Sequence, residues 1–250
     1  MKKLTINFLR ADLRMTQLMF WDWFFPLIMI LAFSLFIKSQ EFSQFILPGL
    51  VSLFFLQSII FSLPYRLAQF NEQGILSLIR QKGSSVKLLS GFYLSRVVIL
   101  TVQIVLVIVL GALSLGLTLQ VNWGVLVLSF GLSMFVFLLL ATFCGWIVKK
   151  QNAALGLSQA IYFLLIGTSG VFYPIDKSSG LLQILSRFSP LYYINNLWTE
   201  ALFKQGARLS GDLGALGIFL ILFLLGVAWL IKGKKKKGVR KYAGVAQVGE

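Results

Sequence analysis

The sequence predicts an all-α integral membrane protein with six transmembrane helices, and three observations predict it. Apolar residues fill 58% of the 250 positions and charged ones only 12%, about half the charge of a soluble domain. Between Val97 and Val148, 52 consecutive residues carry no charge; as a helix this is roughly 78 Å, where a bilayer core is about 30 Å thick. The 23 Lys and Arg residues gather between apolar runs, not inside them. In a soluble protein a formal charge of +15 would suggest nucleic acid; distributed this way it sets topology, and no nucleic-acid partner is expected.

The first element is an amphipathic interfacial helix over 1–20. Lys3, Asn7, Arg10, Arg14 and Gln17 recur at spacings of 4, 3, 4 and 3 and so share one stripe, opposite Ile6, Leu9, Leu13 and Phe20. Such a helix lies in the membrane surface with its polar side to the cytoplasm; the alternative is a basic flank that only fixes orientation. Spans follow at Trp23–Ile37, Phe42–Tyr65, Val97–Leu119, Trp123–Val148, Gln151–Ile175 and Leu213–Ile231. The long central run turns back at Thr118–Gly124, its one polar break. The first run lacks a small-residue cleavage site and is read as a retained helix, not a signal peptide.

In this layout 18 of the 23 basic residues fall on one side, from Lys2 and Lys3 through Arg66–Arg96 to the tail Lys232–Lys241. The other side holds Lys38, Lys177, Arg187, Lys204 and Arg208, mixed with Glu41, Asp176, Glu200 and Asp212. Both termini are therefore expected in the cytoplasm. Trp21, Trp23, Trp123, Trp146 and Trp229 fall at span ends, where an aromatic belt places them.

Two connections stand out, within what reads as a single domain over 1–250 that ends in a basic tail, 232–250. The first, 66–96, carries Leu76, Ile79 and Leu89 with Gly74, Gly83 and Gly91 between them. It predicts short helices broken by turns, too apolar for plain coil, which either dock a partner or pack on their own protein. The second, 171–212, is broken at Pro174, Gly180 and Pro190 and is too apolar for an exposed loop. It dips into the outer leaflet, caps the protein or lies on the surface as an amphipathic helix.

Composition also excludes chemistry. The chain has no histidine and one cysteine, Cys144, so a disulfide framework, a Cys/His zinc site and histidine acid–base catalysis are ruled out. None of the six runs contains an ionisable carboxylate or base, which disfavours an ion-coupled carrier or an intramembrane protease. No Gly-x-x-x-x-Gly-Lys-Ser/Thr occurs, so the chain does not cradle a nucleotide in the P-loop manner. A membrane subunit driven by a separate ATPase fits these features. So does a non-transporting scaffold or assembly factor whose loop docks another partner.

Three stretches resemble ABC exporter permeases of the type-2 class. Glu72-Gln73-Gly74-Ile75-Leu76-Ser77-Leu78-Ile79-Arg80-Gln81-Lys82-Gly83-Ser84 is similar to that family's acidic-x-Gly-x-Leu coupling helix. Ser169-Gly170-Val171-Phe172-Tyr173-Pro174 is similar to its Ser-Gly-x-Phe-x-Pro signature, and Ser189-Pro190-Leu191-Tyr192-Tyr193 to its Asn-Pro-Leu-x-Tyr signature. The resemblance implies re-entrant outer helices between spans five and six. It implies docking of a P-loop ATPase, in two copies, through Glu72, Gly74, Leu76, Ile79 and Gly83, and an outer motif of Gly170, Phe172, Pro174, Pro190 and Tyr192. It further implies a bacterial plasma (inner) membrane, a second permease copy or a sister permease, the surrounding membrane lipids as partners, ATP-Mg held by the ATPase, and no cofactor in this chain. The sequence departs from the family pattern at Phe70, where an acidic residue is frequent, and at Ile75, Gly83 and Ser189. Cargo passing between permease halves would meet apolar and aromatic groups, for which Phe24, Phe54, Phe55, Tyr162 and Phe163 are candidates among other span aromatics. An uncharged interior suits a hydrophobic or amphipathic cargo such as a drug, a peptide antibiotic or a lipid.

Overall fold

A backbone without water to bond to must satisfy its own N–H and C=O groups, which apolar runs of this length do as helices. The computed structural model describes residues 2–13, 20–74, 85–148, 150–205 and 209–246, with 2–4, 11–13, 21–22, 85–89 and 231–246 described by backbone alone. Every regular element among the described residues is helical: α1 (Lys2–Leu13), a π-turn at Phe20–Phe24, α2 (Phe25–Phe36), α3 (Gln40–Glu72), α4 (Ser85–Ser114), α5 (Trp123–Ile147) and α6 (Gln151–Ser169). A 3-10 turn at Ile175–Lys177, two short helices α7 (Gly180–Ser186) and α8 (Pro190–Phe203), and α9 (Leu209–Ala246) complete the order.

Four of these helices are long and apolar enough to cross a membrane: α3, α4 from Ser90, α5, and α9 as far as Leu230. The protein is thus membrane-embedded. The two remaining predicted spans are less clear-cut. Helix α2 has 12 residues, about 18 Å of rise. Helix α6 has 19 residues and stops at Ser169 instead of Ile175, because Gly170 adopts a left-handed conformation that ends it.

The connection predicted over 66–96 is shorter than expected. Helix α3 continues to Glu72, and α4 already begins at Ser85, so Leu89 and Gly91 lie in one continuous helix and not in pieces broken by turns. The basic residues that marked the loop's edges are buried side chains within helices. Arg96 is 1% exposed with its guanidinium 5.9 Å from the centre of the Phe92 ring, and Arg66 donates from Nη1 to Gln69 Oε1 at 3.2 Å. Long apolar stems and a planar guanidinium that packs on rings let such residues sit inside a helix bundle, so a charge need not end a span.

Helix α1 also departs from its predicted faces. Asn7 and Arg10 are exposed as expected, but so is Ile6, whereas Thr5 is buried and Phe8 turns inward. The Phe8 ring lies edge-on to Phe92 at 5.5 Å and tilted against Phe70 at 6.3 Å, docking α1 on α4 and on the end of α3. Arg14 and Gln17 lie outside the described residues, as do the side chains of Lys3 and Leu13.

At the centre of the bundle, α3 packs against α4, α5, α6 and α8. Helix α8 is driven into the core by Leu191, Ile194, Leu197, Trp198, Ala201 and Leu202, all at most 1% exposed. Its final carbonyls would otherwise be unpaired at a helix end. Instead they accept from the extended linker before α5, with Gln120 N–H bonded to Leu202 O at 2.9 Å and Asn122 N–H to Ala201 O at 2.8 Å.

Candidate functional site

The two ends of the bundle carry the motifs. The basic end holds the close of α3, the start of α4 and the start of α6. The mixed-charge end holds the α6–α9 connection.

At the basic end, Glu72 is the last residue of α3. The helix closes with Gln73 N–H bonded to Gln69 O at 3.0 Å and Gly74 N–H to Asn71 O at 3.2 Å. Gly74 has φ +68°, a left-handed turn that a side chain would strain. Leu76, Ile79 and Gly83 lie outside the described residues. The Glu72 carboxylate reaches α6: its Oε1 accepts the Gln151 N–H at 3.2 Å. Gln151 is the first residue of α6, whose preceding residue Lys150 supplies no capping group, so a carboxylate from α3 meets the positive end of α6.

Phe70, the departure from the family's acidic position, has a place of its own. It forms a three-ring cluster with Phe8 and Phe92, T-shaped to Phe92 at 6.1 Å. An apolar ring there seats α1 against the end of α3 and on α4, a contact that a carboxylate could not make.

At the mixed-charge end, Gly170 has φ +70°, and a Cβ on it would collide with the Ile175 side chain. That glycine lets the chain fold sharply back after α6. Val171 is then fully buried and Phe172 stacks on Phe33 of α2 with ring centres 6.0 Å apart. Pro174 precedes the 3-10 turn, and the Tyr173 hydroxyl donates back to Gly167 O. Pro190 opens α8, where its missing N–H costs nothing. Ser189, in place of the family's Asn, is buried, with no hydrogen bond to its Oγ. Tyr192 lies edge-on to Tyr193 at 5.2 Å, and the Tyr193 hydroxyl donates to Arg187 O at 3.0 Å. Burial pushes both the Tyr173 and Tyr193 phenols above their ordinary range; for Tyr193 the neighbouring Tyr192 and Asp212 add to this, opposed by Arg187.

The candidate cargo residues do not share one surface. Phe24 and Phe163 are exposed. Phe54 and Phe55 are core: Phe54 is edge-on to Phe25 at 6.4 Å, and Phe55 packs on Phe130, Phe137 and Trp198. Tyr162 is buried beside Phe61 and donates to Gln57 Oε1 at 2.9 Å.

Gln57, Trp198, Phe8 and Gly49 are structurally prominent residues that sequence reasoning did not single out. Trp198 is fully buried, with Nε1 donating to Ser133 Oγ at 3.1 Å, while Ser129 Oγ donates to Leu197 O at 3.1 Å. Gln57 carries a signal that could have found it: an amide in the middle of an apolar span needs a partner. Gly49 carries none, because its role depends on what lies opposite.

Residues 28–229 match the model of the family described as ABC-2 family transporter protein. No curated protein matches the chain.

Proposed function

The chain belongs to the ABC-2 family of transporter proteins, and on that footing we propose that it is the permease subunit of an ATP-driven exporter in a bacterial plasma membrane. In this reading α2 and α6 join the four long apolar helices as spans, both termini are cytoplasmic, and α7 and α8 are re-entrant from the outer side. The permease pairs with a second copy or a sister permease and binds two P-loop ATPase chains at its basic end. ATP-Mg resides in the ATPase, and this chain binds no cofactor.

The observation that carries the reading is the family match, which runs from within α2 to the apolar part of α9. Supporting it, the family's loop and turn motifs fall at opposite ends of the bundle, Glu72 at one and Gly170–Pro174 at the other. The cargo is hydrophobic or amphipathic, a drug, peptide antibiotic or lipid, because exposed aromatic and aliphatic side chains such as Phe163 and Leu164 offer no charge to pair.

Purification of the tagged chain from its native membranes tests this. A P-loop ATPase should co-purify, and the complex should hydrolyse ATP while the isolated permease does not. Absence of an ATPase, or flux through the isolated permease driven by a pH difference alone, would overturn the reading. Single cysteines at Ser84 and Lys236 in a Cys144→Ser background should be shielded from an impermeant thiol reagent in intact cells, and ones at Ser178 and Gln205 should react.

A further inference from the structure

Helix α3 is joined to α6 at two places and to the chain just after α6 at a third. At the basic end the Glu72 carboxylate holds the first amide of α6. In the middle, the buried pair Gln57–Tyr162 is hydrogen-bonded at 2.9 Å. At the mixed-charge end Gly49 sits against the chain just after α6, so that a Cβ there would stand 2.7 Å from Val171 O. Gly49 and Glu72 lie 23 residues apart in one helix, about 35 Å. Helix α3 also contains Pro48 and Pro64, each of which removes a backbone hydrogen bond and weakens the helix as a rod. Pro64 falls between the middle contact and the basic-end contact, where a second helix fastened on both sides restores stiffness.

We propose that α3 and α6 form a single strut, with Glu72 as the positioning residue that fastens its basic end, so that displacement of that end is carried to the 170–178 turn. This rests on the transporter reading, which supplies the ATPase that displaces the basic end. Glu72 then works inside this chain, fastening the start of α6 to the end of α3, and not as a contact with the ATPase. Val171 links the far end of the strut to the turn, since it is the residue that both follows Gly170 and touches Gly49.

Two measurements on the full chain test the proposal. First, backbone amide exchange at 151–154 is followed for the permease alone in lipid nanodiscs, which needs no ATPase. Glu72→Ala should speed exchange there by about two- to fivefold, the worth of a carboxylate at a helix end. The double variant Glu72→Ala/Lys150→Asp, which gives α6 a cap of its own, should recover protection. Second, a Ser179→Cys reporter in a Cys144→Ser background is labelled with a hydrophilic maleimide in the ATPase-bound complex, with and without ATP-Mg. Labelling should respond to ATP-Mg in the parent and lose that response in both Glu72 variants, with the ATPase still bound.

Unchanged exchange in Glu72→Ala overturns the proposal. A restored ATP response in the double variant also overturns it, since Glu72 would then be only an end cap. Loss of the ATPase from the Glu72→Ala complex overturns it too, placing Glu72 on the partner. If no ATPase binds even the parent, the transporter reading fails, while the exchange measurement still decides the Glu72–Gln151 contact.

Discussion

Helices α3 and α9 are both apolar enough to cross a membrane, yet 94% of the most apolar stretch of α3 is buried against 6% for α9. Hydropathy does not separate them, since lipid tails are as apolar as leucine and give no hydrophobic reason to bury one span over another. Close approach and hydrogen bonding do. Helix α3 buries Ser52, Gln57, Ser58 and Ser62, lays Gly49 against Val171, and receives Gly145 of α5 against Leu67 and Pro64. Helix α9 has glycines as well, but Gly211, Gly214 and Gly217 face open space, and Ile218, Ile221, Leu222, Leu225 and Trp229 are exposed. Gly226, lower in α9, does meet the Phe143 ring of α5, so small residues mark an interface only where another element meets them.

The largest expected effect comes from comparing two tryptophans. Trp198→Ala empties a fully buried site packed against α3 and should cost about 3–5 kcal/mol, whereas Trp229→Ala, on the exposed face of α9, should cost little in the same detergent-unfolding assay. Equal losses would break the contrast between the two helices. Next come two glycines. Gly49→Leu forces a side chain into the Val171 backbone and should destabilise by about 1–3 kcal/mol, while Gly214→Leu should leave the midpoint of unfolding unchanged.

A smaller effect sharpens the comparison within α3. A double-mutant cycle on Gln57→Leu and Tyr162→Phe should give a coupling of about 0.6 kcal/mol, and not above about 1.7, the range for hydrogen bonds between membrane helices. A value near zero would leave the α3–α6 contact to packing alone. The smallest effect concerns Tyr193, which joins α8 to Phe219 of α9 at 6.2 Å. Its phenol is raised above the ordinary value, so the folded protein holds this proton more tightly than the unfolded chain. The stability it contributes is fully present below about pH 10 and is lost as pH rises through the folded value. Tyr193→Phe should therefore reduce the fall in stability on the alkaline side, read as unfolding midpoints across pH 9–11.

Much of this could be read before any coordinates. The central run had to fold back, and α4 ends at Ser114 with α5 starting at Trp123, around the expected turn. Gly170 and Pro190 stand where a helix stops and another begins, because a left-handed residue and a missing N–H constrain the chain locally. The 66–96 connection was misjudged for a definite reason: Arg66 and Arg96 looked like water-facing boundaries, and they are buried side chains on continuing helices. Phe8 lies off the stripe that the polar spacing suggested, because α1 answers to a protein surface at Phe70 and Phe92 as well as to its own periodicity.

The sequence by itself determined that the chain is a helical membrane protein, where its apolar runs turn, and which motifs mark its two ends; these follow from interactions between residues near in sequence and from the energetic cost of charge in hydrocarbon. Only the tertiary structure decided that α3 is the centre and α9 the rim, that Trp198 is core while Trp229 is exposed, and that the Glu72 carboxylate reaches α6. In an apolar solvent every span looks equally content on its own, so the choice of neighbours falls to a few hydrogen bonds and close backbone approaches between residues such as Gly49 and Val171, which are 122 positions apart.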